Sequence, residues 1–331
     1  MPRRAELEKL FQQFEKLKVV IIGDVMLDKY VYGHVDRISP EAPVPVVSVD
    51  RIEGRLGGAA NVAMNMKAMG ATPYIISVTG FDKDASEINE LFVQNKISTK
   101  FMIEAPDRIT STKTRVLAKN QQMIRLDMET TEDITGKVEN SVLQLTKDII
   151  ETEKPDILIF EDYNKGTLTQ RIIHEVTALC LQHHIPIAVD PKKKNFFEFK
   201  HCTLFKPNLR EIKESLNHTF DELNSDELHF AANKLREKLN NQITMLTLGE
   251  HGIYIQSENE HLHVPAHIRK VADVSGAGDT VISIAALCMA AKTSLSTLAE
   301  LSNLAGGIVC EYAGVVPIDK MQLMEEAVKE N

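Results

Sequence analysis

The sequence predicts an α/β protein in which helices flank a doubly wound, mostly parallel sheet. Short apolar runs of the kind found in buried parallel strands recur at 19–22, 74–78, 157–160, 185–189 and 245–248. Stretches with helical periodicity, such as 135–152 and 168–183, separate them. The first run ends at Gly23-Asp24, which predicts a loop at the carboxyl end of a strand, where ligands usually bind.

Two segments interrupt this alternation and predict a small second sheet. Residues 29–50 and 99–128 contain strand-like runs, some edged by prolines, with no helical stretch between neighbouring runs. We expect them to form a lid that is inserted into one domain spanning residues 1–331. A lid of this kind could exclude water from a reaction beneath it.

Composition narrows the class of protein. The chain has 331 residues, of which 43% are hydrophobic and 26% charged, as in globular proteins. Its net charge of -9 argues against nucleic acid as a partner. Four widely spaced cysteines lack zinc or redox spacing, and charges or prolines interrupt every apolar run before it could span a bilayer. We therefore expect a cytoplasmic protein without a membrane partner.

The segment 273–280 (Asp-Val-Ser-Gly-Ala-Gly-Asp-Thr) is the strongest chemical motif, and a strongly apolar helical stretch follows it. Small residues at a helix start let backbone N–H groups converge on an anion. An acidic residue at Asp279 would repel a bound phosphate, but it suits a base for an attacking hydroxyl. The alternative is a purely structural turn, with Gly276 and Gly278 permitting the bend and Asp279 capping the helix.

A second glycine-rich segment, 57–61 (Gly-Gly-Ala-Ala-Asn), opens another predicted helix. It could simply allow close packing at a helix start. It could also bring backbone close to a polyhydroxylated ligand, with the Asn61 amide as both donor and acceptor.

Together the two segments resemble the signatures of the ribokinase-like (PfkB) family of carbohydrate kinases, from about residue 18 to the C-terminus. Within the family, the stretches 23–28, 37–46 and 120–127 are most similar to kinases that phosphorylate C1 of D-glycero-β-D-manno-heptose 7-phosphate. Many such kinases are fused to a nucleotidyltransferase domain with a His-x-Gly-His motif. The motif is absent from this sequence, so we expect a stand-alone kinase without that domain.

The resemblance implies roles for residues on the nucleotide side. Asp279 would be the catalytic base, and Gly276, Ala277 and Gly278 would form the anion hole. ATP would contact the anion hole together with Asn208, Glu211, Thr247, Gly249 and Asn303. Asn208 and Glu211 would also hold Mg²⁺ through water, although Asn208 could equally be a helix cap. Some relatives bind K⁺ at the positions of Asp273 and Ser275, near the backbone of Tyr312 and Gly314.

On the sugar side, the resemblance assigns a hydroxyl contact to Asp28, whereas Met26 stands where many relatives have Asn. The implied substrate contacts are Asp28, Gly57, Gly58, Asn61, Arg115, Asn120, Asp162 and Lys165. Candidates for the substrate phosphate are Lys113, Arg115, Lys119, Arg125 and Lys192, Lys193 and Lys194. Several of these could instead be ordinary solvated charges.

Three alternatives remain open at this stage. The acceptor could be fructose, ribose or another sugar phosphate, or the protein could bind sugar or nucleotide as a sensor without catalysis. A dinucleotide-dependent dehydrogenase is less consistent, because Gly57-Gly58 lacks the Gly-x-Gly-x-x-Gly spacing. The resemblance further implies a homodimer that forms through the lid.

Overall fold

The computed structural model describes residues 3–119, 121–217, 220–221 and 224–330. Asn120 lies outside the described residues. The strands, in chain order, are β1 (Lys18–Gly23), β2 (Val25–Ile38), β3 (Pro45–Gly58), β4 (Thr72–Thr79), β5 (Met102–Glu104), β6 (Thr112–Ala118), β7 (Gln121–Met128), β8 (Ile157–Glu161), β9 (Ile187–Asp190), β10 (Leu204–Phe205), β11 (Ile243–Thr247), β12 (Ile253–Gln256) and β13 (His261–Val264).

In the described part of the chain, nine strands form the main sheet, in the order β13-β12-β11-β10-β9-β8-β1-β4-β5. All neighbours are parallel except β11–β12 and β12–β13, which are antiparallel at one edge. The central strands β1 and β8 consist almost entirely of buried apolar residues, because helices cover both faces of the sheet. This confirms the predicted α/β class.

The helices are α1 (Arg4–Phe14), α2 (Ala59–Ala68), α3 (Lys83–Gln94), α4 (Gly136–Glu153), α5 (Gln170–Gln182), α6 (Leu209–Leu216), α7 (Ser225–Leu239), α8 (Ala277–Ala290), α9 (Leu295–Val309) and α10 (Lys320–Lys329). Apolar residues of α1, α2, α8, α9 and α10 share one hydrophobic core with the sheet. Residues of α4, α5, α6 and α7 form a second core. None of the described helices is long and apolar enough to cross a bilayer.

A separate small sheet is present, with the described strands in the order β3-β2-β6-β7. Its two long strands pair from Val25 with Gly58 to Ile38 with Pro45, so they reach further than the predicted 29–50 segment. Every described residue of β7 is exposed, as expected for an outer strand of a projecting sheet.

The predicted lid segment 99–128 is wrong in its first part. Strand β5 pairs in parallel with β4, at the edge of the main sheet, so β6 and β7 are the strands of this segment that belong to the small sheet. Phe101 explains the difference, because its buried side chain packs into the second core and anchors this segment beside β4.

Chain order places a topological switch point beside β1. The chain passes from β1 to β4 on one side, whereas β8 and β9 lie on the other. Such a reversal leaves a crevice at the carboxyl ends of the strands. Here those ends are Gly23, Glu161 and Asp190.

Candidate active site

Asp279 lies in the first turn of α8 and is only 2% exposed. Its Oδ2 accepts a hydrogen bond from Asn61 Nδ2 at 2.8 Å, and its Oδ1 accepts one from the Tyr163 hydroxyl at 2.6 Å. Burial raises the pKa of Asp279 to about 6, while these two hydrogen bonds oppose the rise. A carboxylate with such a pKa is ionised at neutral pH and can still accept a proton.

The segment before Asp279 forms an open backbone turn. Gly276 has φ 80°, and a β-carbon built there would lie 2.8 Å from Asn61 Nδ2, so a larger residue would clash. A β-carbon at Gly278 would lie 3.7 Å from Asp190 Oδ2 and 3.8 Å from Lys206 Nζ. Helix α8 begins at Ala277, whose N–H donates to the Val274 carbonyl at 3.3 Å, so the N–H groups of Gly278 and Asp279 are the orphan donors that favour an anion.

Two buried residues from the strand ends adjoin Asp279. One carboxylate oxygen from each of Glu161, Asp190 and Asp279 lies within 4.8 Å of the others. Asp190 pairs with the buried Lys206, with 2.7 Å between Oδ2 and Nζ. Glu161, Asp190, Lys206 and Tyr163 were not predicted as site residues. For Glu161 and Asp190, the signal in the sequence is an acidic residue directly after an apolar run.

Asp24 organises the loop that follows β8. Its carboxylate accepts backbone N–H bonds from Tyr163 at 2.9 Å and from Lys165 and Thr167 at 3.0 Å. The same loop carries Asp162, whose pKa is raised to about 7 by burial and by the charge of Asp24. Asp24 therefore fixes the loop from which Tyr163 reaches Asp279.

The predicted sugar-contact residues at the lid base lie together. Arg115 on β6 donates a hydrogen bond to Asp28 Oδ1 on β2. A β-carbon at Gly57 would lie 2.1 Å from Asp28 Oδ2, and one at Gly58 would lie 3.5 Å from the Tyr163 ring. Met26 is buried against both glycines. Gly57 and Gly58 are the last residues of β3, most of which is not buried, and α2 begins directly after them.

The basic candidates differ in their surroundings. Lys113 is half-buried, and its Nζ lies 5.3 Å from the Tyr163 ring centroid. Burial lowers the pKa of Lys113. Lys165 pairs with Glu129 at 2.8 Å. The remaining described candidates lie on the surface or pair with acids, namely Lys119 in an exposed turn, Arg125 with Asp127, Lys192 with Glu211, Lys193 with Glu214 and Lys194 with Asp133.

Asn208, one of the residues predicted to contact the nucleotide, is a helix cap. Its side chain accepts the N–H of Glu211 at 2.9 Å, and Glu211 Oε2 accepts the N–H of Asn208 at 2.9 Å, which forms a capping box at α6. Glu211 Oε1 also lies 2.6 Å from Lys192 Nζ. The side-chain oxygens of Asn208 and Glu211 are therefore engaged in bonds within the protein.

The other predicted nucleotide residues occupy neighbouring loops. Thr247 forms an isolated bridge with Asn208, and Gly249 follows with φ 62° and open space where a β-carbon would stand. Asn303 on α9 donates a hydrogen bond to the carbonyl of Pro265 at 2.8 Å. The carboxyl end of β11 therefore contacts the start of α6, and the loop after β13 contacts α9.

Asp273 ties two loops together. Its Oδ1 accepts the N–H of Ser275 at 2.9 Å and its Oδ2 accepts the N–H of Gly314 at 3.0 Å. Burial opposes ionisation, but these bonds outweigh it and lower the pKa of Asp273. The carboxylate supplies hard oxygens of the kind that suit K⁺, although both oxygens also serve the loops.

The chain matches the model of the pfkB family of carbohydrate kinases over residues 16–321. Among curated proteins, it is 39% identical over 319 residues to Bifunctional protein HldE of Photorhabdus laumondii, covering 96% of this chain and 65% of that protein. It is 34% identical over 324 residues to Bifunctional protein HldE of Geotalea uraniireducens, with coverages of 98% and 65%. The chain therefore spans about two thirds of the length of these relatives.

Solved structures share the fold. Phosphofructokinase-2 from Escherichia coli in complex with fructose-6-phosphate superposes with a TM-score of 0.78 at 16% identity, covering 95% of this chain and 99% of that chain. Arabidopsis thaliana ribokinase complexed with ribose and ATP gives 0.73 at 16% identity, with coverages of 94% and 99%. At these identities the comparison supports the ribokinase-like fold alone.

Proposed function

The chain belongs to the pfkB family of carbohydrate kinases, and we propose that it transfers the γ-phosphoryl group of ATP to the C1 hydroxyl of D-glycero-β-D-manno-heptose 7-phosphate. The product would be the 1,7-bisphosphate, a precursor for ADP-heptose and the lipopolysaccharide core. The similarity to the HldE proteins and the sequence stretches noted above support this acceptor.

The observation that carries the proposal is the buried Asp279 carboxylate beside an open, glycine-lined helix start. Asn61 and Tyr163 orient its two oxygens. Gly276 and Gly278 keep the adjoining backbone free of side chains. A base and an anion cradle on one turn are the two elements that phosphoryl transfer to a hydroxyl requires.

In the proposed reaction, Asp279 accepts the proton of the C1 hydroxyl as that oxygen forms a bond to the γ-phosphorus. The bond between the γ-phosphorus and its bridging oxygen breaks, and ADP leaves with that oxygen. The N–H groups at the start of α8 stabilise charge on the transferring group. Because Asp279 lies in a buried site, water is kept from competing with the sugar.

Magnesium would accompany the nucleotide and neutralise charge on its phosphate oxygens. Asn208 and Glu211 would hold the ion through water, and Thr247, Gly249 and Asn303 would line the nucleotide site. Potassium at Asp273 and Ser275 is a further proposal, for which the hard oxygens of Asp273 are the support.

For the sugar, we propose contacts from Asp28, Asn61, Asp162 and the backbone of Gly57 and Gly58. Lys113, Arg115 and Lys165 are our candidates for its phosphate. The half-buried position of Lys113 near Tyr163 supports this choice, because a desolvated ammonium ion binds phosphate more strongly than one in water.

A different acceptor is the second candidate, and Met26 is the observation that favours it. Its buried thioether lies beside both glycines of the sugar segment, where many relatives carry an amide. That change could alter which hydroxyl groups are recognised, so fructose, ribose and fructose 6-phosphate belong in the test.

The test is ATP consumption by the purified protein with the heptose 7-phosphate and with each of those three sugars. We expect the largest kcat/KM for the heptose 7-phosphate. Asp279→Asn should reduce kcat by about 10²–10⁴-fold with unchanged circular dichroism. A higher kcat/KM for another sugar would overturn the acceptor, and near-normal turnover by Asp279→Asn would overturn the assigned base. Binding without any transfer would favour a sensor.

A further inference from the structure

The small sheet contacts the loop that follows α9 through two side chains, Tyr30 and Arg55. Tyr30, on β2, is only 2% exposed, and its hydroxyl accepts the N–H of Val315 at 3.0 Å. Arg55, on β3, donates to the carbonyls of Ala313 at 2.8 Å and Val315 at 3.2 Å. Its guanidinium group also lies over the Tyr30 ring, 4.9 Å from the centroid. Two residues of the small sheet therefore hold the backbone of residues 313–315.

Gly314 lets this loop approach the two side chains closely. It is buried and has φ 75°, and a β-carbon built there would lie 2.7 Å from Tyr30 Cζ and 2.8 Å from Arg55 Nη1. Its N–H donates to Asp273 Oδ2 at 3.0 Å, and Asp273 Oδ1 accepts the N–H of Ser275 at 2.9 Å. Ser275 directly precedes the glycine-lined start of α8. A continuous series of contacts therefore joins the small sheet to the backbone of the anion cradle.

The same series of contacts reaches the proposed sugar site. Asp28 lies two residues before Tyr30 on β2 and accepts a hydrogen bond from Arg115. The Arg115 guanidinium lies 5.4 Å from the centroid of the Tyr30 ring, so Tyr30 contacts this group as well as Arg55. Burial opposes ionisation of Asp273, whereas its hydrogen bonds and the charge of Arg115 lower its pKa. Tyr30 thus lies between groups on the sugar side and the loop that supports the cradle.

We propose that Tyr30 and Arg55 are positioning residues, which align the anion cradle when a sugar occupies the site at Asp28 and Arg115. This role rests on the proposed kinase function. A sugar held by Asp28 and Arg115 restricts the groups that pack on Tyr30, and Tyr30 and Arg55 hold the loop behind the cradle. Bound sugar should therefore tighten the binding of ATP, and by thermodynamic linkage ATP should tighten the binding of sugar by the same factor.

Isothermal titration calorimetry with AMP-PNP, a non-hydrolysable ATP analogue, measures this coupling in the full chain with Mg²⁺ present. The dissociation constant is determined with and without saturating D-glycero-β-D-manno-heptose 7-phosphate, or whichever assayed sugar has the largest kcat/KM. We expect the sugar to tighten AMP-PNP binding at least about fivefold in the wild type. The factor should fall below about twofold in Tyr30→Phe, which keeps the ring and loses the hydroxyl, and in Arg55→Met.

Binding of each ligand alone distinguishes positioning from damage to the site. Both variants should bind AMP-PNP alone and the sugar alone within about twofold of the wild type, because the proposed contact residues for each ligand remain. Their kcat should fall by about tenfold, since the cradle is less well aligned with the bound sugar. Arg55→Lys, which can still donate to a carbonyl, should recover part of the coupling that Arg55→Met loses.

Tyr32 and Arg51 provide matched controls on the same two strands. Arg51 lies over the Tyr32 ring, 4.1 Å from the centroid, which repeats the contact of Arg55 with Tyr30 two residues further along β2. Arg51 pairs with Glu53 at 3.9 Å. Tyr32→Phe and Arg51→Met should keep the coupling factor and kcat of the wild type.

Three results would overturn the inference. These are a wild type whose AMP-PNP affinity does not respond to sugar, an unchanged coupling factor in Tyr30→Phe, or an equal loss of coupling in Tyr32→Phe. If Arg55→Met does not fold, Tyr30→Phe decides alone, since it removes a single oxygen atom. A protein that phosphorylates none of the assayed sugars would contradict the proposed function, whereas unchanged coupling in an active Tyr30→Phe protein would contradict only the positioning role.

Discussion

Tyr163 is the residue through which the loop after β8 acts on the proposed base. Its hydroxyl donates to Asp279, and this hydrogen bond stabilises the carboxylate form. Burial and the neighbouring negative charges raise the pKa of Tyr163 well above its ordinary value, so it remains a donor at any pH of interest. We therefore expect the pH below which activity falls to depend on both Asp279 and Tyr163.

The pH dependence of activity tests the proposed role of Asp279. The proposed base must be ionised to accept a proton, so kcat/KM should fall as pH drops through about 6, the pKa of Asp279. Tyr163→Phe removes a bond that lowers this pKa, so the acid limb should move upward by about 0.5–1 pH unit. The measurement is the pH profile of kcat/KM for both proteins.

Tyr74→Phe is the matched control, because the Tyr74 hydroxyl donates to Glu153, a carboxylate outside the site. Its acid limb should coincide with that of the wild type. An unshifted limb in Tyr163→Phe would show that Asp279 is not the group that titrates.

At the residue scale, two glycine-rich motifs predicted residues that do lie close together in the structure. Asp279, Asn61 and the glycines were identified from two short motifs, and the structure brings them together. Glu161 and Lys206 were missed because each belongs to an apolar strand or a loop that is distant in sequence. Only the parallel pairing of β8, β9 and β10 brings those positions together.

Among the elements, the strand–helix junction at Gly57-Gly58 leaves no room for a side chain at Gly57. A β-carbon at Gly57 would collide with Asp28 Oδ2, and Asp28 in turn holds Arg115. Gly57→Ala should displace Asp28 and raise the KM for the sugar by about tenfold, with little change in the KM for ATP. Steady-state kinetics with each substrate varied in turn provides the check.

Gly136→Ala is the control for that substitution. Gly136, unlike Gly57, has a positive φ of 56°, and nothing lies within 4 Å of a β-carbon built there. It should cost about 1 kcal/mol of stability and leave both KM values unchanged. An unchanged sugar KM in Gly57→Ala would remove this junction from the sugar site.

The start of α6 allows the structural and functional roles of Asn208 to be separated. Serine is also a good N-cap, so Asn208→Ser should retain the stability that Asn208→Ala loses, about 1 kcal/mol. If Asn208 also serves the nucleotide, both variants should raise the KM for ATP several-fold. Thermal unfolding and kinetics of the two proteins test this, and a normal KM in Asn208→Ser would assign capping alone.

Strands and helices could be predicted where the hydrophobic periodicity of the sequence matches the observed burial, as for β1, β8 and α5. The assignment of strands to sheets was not. Residues 99–104 were predicted to form a lid strand because no helical stretch separates them from the hairpin that follows. Their actual pairing with β4 depends on where Phe101 packs, which is a tertiary contact.

For the whole molecule, the small sheet presents an uncovered apolar face. Ile124, Leu126 and Met128 alternate along β7 and therefore share one side, and each is more than half exposed, at 52%, 54% and 56%. Exposed apolar stripes of this kind mark interaction surfaces. We predict a homodimer through the lid, which Leu126→Glu should shift to monomer in sedimentation velocity.

Leu181→Glu is the matched control, because Leu181 is 49% exposed on α5 of the main domain. It should sediment like the wild type. A monomeric wild type, or a Leu126→Glu protein that remains dimeric, would contradict the predicted interface.

The central claim is anomeric phosphorylation of the heptose 7-phosphate by this chain. Phosphorus NMR of a reaction with ATP and D-glycero-β-D-manno-heptose 7-phosphate tests it most directly. Our account predicts one new sugar phosphate resonance that couples to the anomeric proton, in equal amount to the ADP formed, and its loss in Asp279→Asn. ADP without that resonance, or a phosphate on any other carbon, would contradict the account.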